Sequence, residues 1–154
     1  MISVIQRVSR GEVKVDGRTI GKIGRGYVIL LGVDASDQER DADWLAKKVC
    51  DVRLFEDADG KMNRSLLEVE GEALVISQFT LLADYRKGRR PSFIHAAPPD
   101  QAIPLYEYFM DRLWSLGVQV AHGEFAAMMS VDIQNEGPVT LVMDSQVKFP
   151  RQPR

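Results

Sequence analysis

Two groups of residues in this 154-residue chain have types and spacing that could do chemistry. Ser77, Gln78 and Thr80 follow directly on the apolar run of residues 73–76, with no turn residue between. An unpaired buried hydroxyl or amide costs about 1–3 kcal/mol, so polar side chains that extend a buried strand must pair or line a cavity. Strict alternation would put Gln78 and Thr80 on one face and Ser77 and Phe79 on the other. A little further on, Arg86, Lys87, Arg89 and Arg90 place four cations in five positions, closed by Pro91 and Ser92. Charge runs are commonly solvated loops, and composition alone would favour that reading. Position favours another: a basic loop beside a polar strand end suits a small reactive pocket next to a polyanion. Arginine contacts to phosphate would give salt-dependent, sequence-independent affinity for an RNA end.

Other chemistries fit the inventory poorly. His95 and His122 lie in loop-like contexts without a second histidine or a cysteine at ligand spacing, so no zinc site and no metal or cofactor is expected. Ser77, His95 and Asp84 could be written as a triad, yet no Gly-x-Ser-x-Gly elbow exposes a serine. The glycine-rich stretch 21–26 lies inside a hairpin and has no Lys-Thr pair or helix after it, as a phosphate loop needs. The acidic turn at residues 57–60 lacks the distal ligands of a calcium loop. Cys50 falls on the apolar stripe of a helix, where a free cysteine acts as a small core residue. Gly137–Pro138 reads either as an ordinary turn or as a cis bond that aims carbonyls into a site, and base rates favour trans.

The elements that must position these residues read as one domain over residues 1–147, with a flexible tail at 148–154. A net charge of −2 gives no global field for nucleic acid, so any RNA contact must come from local patches. One cysteine excludes an internal disulfide, and no stretch approaches the about 20 apolar residues of a membrane span, which makes the cytoplasm the default location. Residues 2–8 read as a strand broken by Gly11, and residues 13–24 as a hairpin about Asp16–Gly17 with a bulge near Gly21. Residues 27–33 are the strongest buried strand. Ser36 and Glu39 have capping-box spacing before a helix over 37–50, with Ala42, Leu45, Ala46 and Val49 as its buried stripe. A strand at 52–55, a short helix at 65–68 and the central strand at 73–76 follow. A second helix begins near residues 96–100, awkward at Pro104, and ends at Gly117. Strands at 118–120, 130–133 and 139–143 complete the chain, with residues 135–138 as the turn between the last two.

The motifs Ser77-Gln78-Phe79-Thr80-Leu81, Lys87-Gly88-x-Arg90-Pro91-Ser92-Phe93 and Asn135-x-Gly137-Pro138-Val139-Thr140 resemble those of the D-aminoacyl-tRNA deacylases. Ile5-Gln6-Arg7-Val8 and Gly123-x-Phe125-Ala126-Ala127-x-Met129 agree, and the similarity runs in register from Met1 to about Gln146. The resemblance implies a mixed α/β, β-rich fold, with barrel-like antiparallel and mixed sheets flanked by two main helices in β/β/α layers. It implies a homodimer that hydrolyses the ester between a D-amino acid, or glycine, and the terminal adenosine of tRNA. Residues 77–80 would form the pocket floor, with Thr80, Ser77, Gln78 and Phe79 as the catalytic set. Gly137 and Pro138 would be joined by a cis bond, and their carbonyls would hold the substrate's α-amino group in the partner subunit's pocket. Arg7, Phe125 and Met129 join the substrate-binding set, and Arg86, Lys87, Arg89 and Arg90 bind tRNA. An ester hydrolase of this kind needs an oxyanion hole, which backbone N–H groups near Gln78 and Phe79 could supply. Two sources of water activation stay open, the Thr80 hydroxyl and the adenosine's own 2′-OH. A non-catalytic RNA-end binder and a purely structural dimeric module are the competing classes.

Overall fold

The structure, a computed structural model, describes residues 1–151. Its strands are β1 (Ile2–Val15), β2 (Arg18–Ile23), β3 (Gly26–Gly32), β4 (Phe55–Glu56), β5 (Met62–Arg64), β6 (Glu72–Ser77), β7 (Gln119–His122) and β8 (Met129–Asp144). The helices are α1 (Glu39–Asp51) and α2 (Pro99–Ser115). Six strands form one mixed sheet in the order β2-β1-β3-β6-β7, with β8 on the other side of β1, while β4 and β5 pair separately. The β1–β2, β1–β3 and β1–β8 pairs are antiparallel, and β3–β6 and β6–β7 are parallel.

Period-2 burial on both faces explains how this sheet curls. Tyr27, Ile29 and Leu31 of β3, with Ala73 and Val75 of β6, face the core shared with Leu45, Val49, Phe109 and Leu113 of the helices. Val28, Leu74 and Ile76 point the other way and meet Val8, Val13 and Ile23 in a second core inside the curled sheet. The sheet is therefore nearly a closed barrel, with two helices packed on one side. Closure is tight where β2 meets β7: a Cβ on Gly21 would lie 2.6 Å from the His122 carbonyl oxygen, so only glycine fits there.

Several local expectations change. Gly11 does not break β1, which runs on unbroken to pair with β2 and β8. Of residues 52–55 only Phe55 is in a strand, the two-residue β4, and the helix expected over 65–68 is replaced by turns at 66–70. The α1 cap is Gln38 with Asp41, the Gln38 N–H donating to the Asp41 carboxylate at 3.0 Å, while Ser36 bonds to Asp34 instead of to Glu39. Pro104 sits inside α2. Beyond Leu116, Gly117 N–H donates to Trp114 and Val118 N–H to Leu113, the paired bonds of a Schellman stop.

The tail expected to be loose from residue 148 is tied down as far as it is described. The Phe149 N–H donates to the Ser145 carbonyl at 2.9 Å, and Arg40 lies over the Phe149 ring. Arg151 bridges the buried carboxylates of Asp37 at 2.9 Å and Asp41 at 2.5 Å. The Met1 amine is paired to Asp37 and donates to Ser145, whose hydroxyl donates to Asp41 at 2.6 Å. Residues 152–154 of the expected tail lie outside the described residues.

Candidate active site

β6 ends at Ser77, and the chain turns at once into a single 3-10 turn, Phe79–Leu82. The strand alternation expected through Thr80 therefore stops three residues early. The turn has consequences for the backbone donors. The Gln78 N–H is committed to the Leu31 carbonyl at 2.8 Å, so it is not available to a substrate. Among the described residues the Phe79 N–H has no hydrogen-bond partner, as the first turn of a helix dictates. The Gln78 side-chain amide donates to the Thr80 hydroxyl.

A cleft of about 540 Å³ opens over this strand end. Ser77, Gln78 and Phe79 line it, and Phe125 and Met129 face them from the chain before and at the start of β8. Thr80 is not among the lining residues and joins the cleft only through its bond to Gln78. The remaining walls combine five alanines, Ala96, Ala97, Ala102 of α2, Ala126 and Ala127, with larger apolar residues such as Leu31 and Ile76 and with Tyr106. Segment 93–97 is held as a wall by two bonds to the chain that follows β3, Ala35 N–H to the His95 carbonyl and Ala97 N–H to the Val33 carbonyl, each 2.9 Å. Among the described residues no charged side chain lines the cleft. Tyr106 donates to the Val75 carbonyl at 2.8 Å, and burial pushes its phenol far above the usual range, which leaves it a neutral donor. The cleft can therefore bind and orient a reactive ester, but it brings no side-chain acid or base of its own.

Gly137 and Pro138 lie elsewhere on the same chain. They are exposed and joined by a cis peptide bond. They are not the turn of a hairpin: β8 runs continuously past them, pairing with β1 on both sides. Opposite Arg7 alone, residues 136–139 bulge out of the ladder, since Gln6 pairs with Thr140 and Val8 with Asn135. The bulge is held from both sides. The Asn135 side chain accepts from the Val139 N–H at 3.0 Å, and the buried Arg7 donates to the Glu136 carbonyl at 3.1 Å and the Leu54 carbonyl at 2.6 Å. Arg7 thus acts through the bulge and does not line the cleft.

The basic loop is a hairpin whose neck is closed by two 2.8 Å backbone bonds between Asp84 and Ser92. Arg86 is spent within it, donating to Asp84 through its side chain at 2.7 and 2.8 Å. Hydrogen bonds from Arg86 hold the Asp84 carboxyl well below the usual carboxylate range, so Asp84 acts as a brace in the neck of the loop. Lys87, Arg89 and Arg90 have no hydrogen-bond or ion-pair partner among the described residues. Of the four expected phosphate contacts, three carry uncommitted charge. Among the described residues no group of three or more His, Cys, Asp or Glu side chains is placed to hold a metal, and no helix is long and apolar enough to cross a membrane.

Residues 4–144 match the family model for D-Tyr-tRNA(Tyr) deacylase. The chain belongs to this family. A D-aminoacyl-tRNA deacylase of Roseiflexus castenholzii is 56% identical over 154 residues, covering 100% of this chain and 97% of the relative. One from Geotalea uraniireducens is 55% identical over 145 residues, 94% of each chain. The solved "c-Myc DNA Unwinding Element Binding Protein" is 38% identical with a TM-score of 0.89, covering 94% of this chain and 98% of that one. A structure described as "Structural Analysis of a probable eukaryotic D-amino acid tRNA deacylase" has a TM-score of 0.81 at 17% identity, covering 92% and 97%, and shows the same fold. Hydrolysis of D-aminoacyl-tRNA is the activity that defines the deacylase family. The cleft includes wall residues that sequence reasoning missed, Ala96, Ala97 and Ala102, because alanine in a helix or loop carries no signal of lining a cavity.

Proposed function

We propose that this deacylase binds the 3′ end of a D-aminoacyl-tRNA in the cleft over residues 77–79 and hydrolyses its ester. The observation that carries the reading is a cleft built on the polar end of a buried strand and lined, among the described residues, by no charged side chain. An aminoacyl ester is already activated, so orientation and an oxyanion donor suffice if the substrate supplies the rest. The Phe79 N–H is the donor free to take that role. Thr80 has Gln78 as its side-chain partner and no base beside it, which favours the adenosine 2′-OH as the group that assists the water and leaves Thr80 to orient.

Within one chain the Gly137–Pro138 bulge is not part of the cleft, and its carbonyls serve a second copy in this reading: a homodimer in which each bulge holds the α-amino group in the partner's cleft. A backbone clamp of that kind rejects L-substrates by clash, accepts glycine in part, and is indifferent to side-chain type. Lys87, Arg89 and Arg90 hold the tRNA backbone, and the cytoplasm, where translation occurs, is the place of action. The test is release of free amino acid from tRNA charged with D-tyrosine, L-tyrosine or glycine, with the assembly state read by sedimentation. D-tyrosine should be released, glycine in part and L-tyrosine not. Binding without release would leave only an RNA-end binder, and efficient release of L-tyrosine would overturn the clamp.

A further inference from the structure

The recognition surface continues past the cleft mouth. Phe79 lines the cleft and is 56% exposed. Its ring meets that of Phe93 at 5.0 Å between centroids, with the planes turned 70° to one another. Phe93 is itself 37% exposed, and Ile94 beside it is open to solvent. An aromatic pair of this kind is normally core, yet this one stands in the open between an ester-sized cleft and the neck of the basic loop, which Ser92 closes. Beyond the neck come Lys87, Arg89 and Arg90 with their charges uncommitted. Cleft, aromatic ring and free cations follow one another in the order a single-stranded end would meet them.

We propose that Phe93 is a stacking platform for the base of the nucleotide that precedes the terminal adenosine, with the loop cations on the phosphates behind it. The inference rests on the site being one for aminoacyl-tRNA. Unpaired bases can splay out and lie on aromatic rings, and such stacking tolerates any sequence because every base has a π-face. The 70° turn between the rings fits successive bases that do not remain stacked on each other. Charge complementarity favours RNA as the occupant over an apolar peptide, since the loop beyond the Phe93 neck carries three uncommitted cations and its own carboxylate, Asp84, is tied to Arg86.

The test compares Phe93→Ala, Phe93→Leu and Phe93→Tyr with the unaltered protein in two measurements. The first is binding of a fluorescent single-stranded RNA ending in CCA. The second is cleavage of a D-aminoacyl ester on full tRNA and on adenosine alone. Alanine and leucine should each weaken RNA binding and raise KM for the tRNA about fivefold or more, while kcat and cleavage of the adenosine ester stay unchanged. Tyrosine should retain both. Unchanged RNA binding in Phe93→Ala, equal losses on both esters, or leucine behaving like phenylalanine would overturn the platform. If the unaltered protein cleaves neither ester yet Phe93→Ala and Phe93→Leu still weaken RNA binding and Phe93→Tyr does not, the platform stands and the deacylase reading falls.

Discussion

Arg7→Met removes the brace under the Gly137–Pro138 bulge while keeping most of the apolar stem. The guanidinium donates to two main-chain carbonyls, Glu136 at 3.1 Å and Leu54 at 2.6 Å, and is 6% exposed. A hydrogen bond from a charged donor contributes about 1.5–3 kcal/mol. The Glu56 carboxylate lies 3.9 Å away and is itself exposed, so that pair adds about 0–1 kcal/mol at most. Because the two main-chain bonds share one side chain, they are not independent, and a loss of about 3 kcal/mol is expected. For a chain of this size that lowers the thermal midpoint by about 6–12 °C. Arg7→Lys keeps the charge but not the fork, so it should fall between the two proteins. Urea midpoints give the stability, and release of D-tyrosine from charged tRNA gives the function. In Arg7→Met, kcat/KM should fall even at a temperature where the variant is fully folded, because the bulge carbonyls are no longer aimed. An unchanged midpoint, or full turnover in a destabilised protein, would refute the bracing role.

Three further outcomes are expected. Gly137 has φ +124°, and a Cβ there would lie 2.9 Å from Val139 Cγ2 and 3.1 Å from Arg7 Nη2, so Gly137→Ala should cost about 1–3 kcal/mol and at least tenfold in turnover; wild-type turnover in that variant would show that the bulge takes no part in the reaction. Arg90→Ala should reduce the slope of log affinity against log salt for tRNA by about one, and an unaltered slope would make this arginine a solvated residue only. Burial raises the Cys50 thiol to about 11 and leaves it 1% exposed, so at pH 8 it should resist a thiol reagent until the protein is unfolded, whereas prompt labelling of the native protein would contradict the packing of α1.

The parts of this fold that were legible in the sequence are those where one physical signal acts alone. Residues 73–76 and 27–33 are continuous apolar runs, and both are strands buried on two faces. Ala42, Leu45, Ala46 and Val49 recur at helical spacing, and all four are buried on α1. The misreadings come from residues whose usual role is overridden by their neighbours. Proline and glycine inside a strand read as a turn, yet β8 keeps its pairing with β1 by bulging past Arg7. Gly11 reads as a break, but β8 on one edge and β2 on the other hold that stretch extended. Ser77, Gln78 and Phe79 could be placed at a site because polar residues at the end of a buried strand are anomalous, and they do line the cleft. The division of labour in the basic loop could not be seen, because Arg86 differs from Arg89 and Arg90 only in having Asp84 two residues away and a neck that brings it within reach.

β8 begins with Met129 in the cleft wall and carries Gly137 in the bulge, and both belong to one strand registered along β1. Eight residue steps of extended chain separate them, about 26 Å along the strand at roughly 3.3 Å per residue. The strand is therefore a ruler: it sets how far the bulge carbonyls stand from the cleft of their own chain. In a symmetric pair the same length fixes the spacing of the two clefts. Deleting two residues between Ser130 and Gln134 would preserve the alternation of faces along β8 and shorten that ruler by about 7 Å. Such a protein could keep its inner core and still deliver its bulge to the wrong place, so the length of one strand, as much as the identity of any side chain in it, constrains how this fold can change.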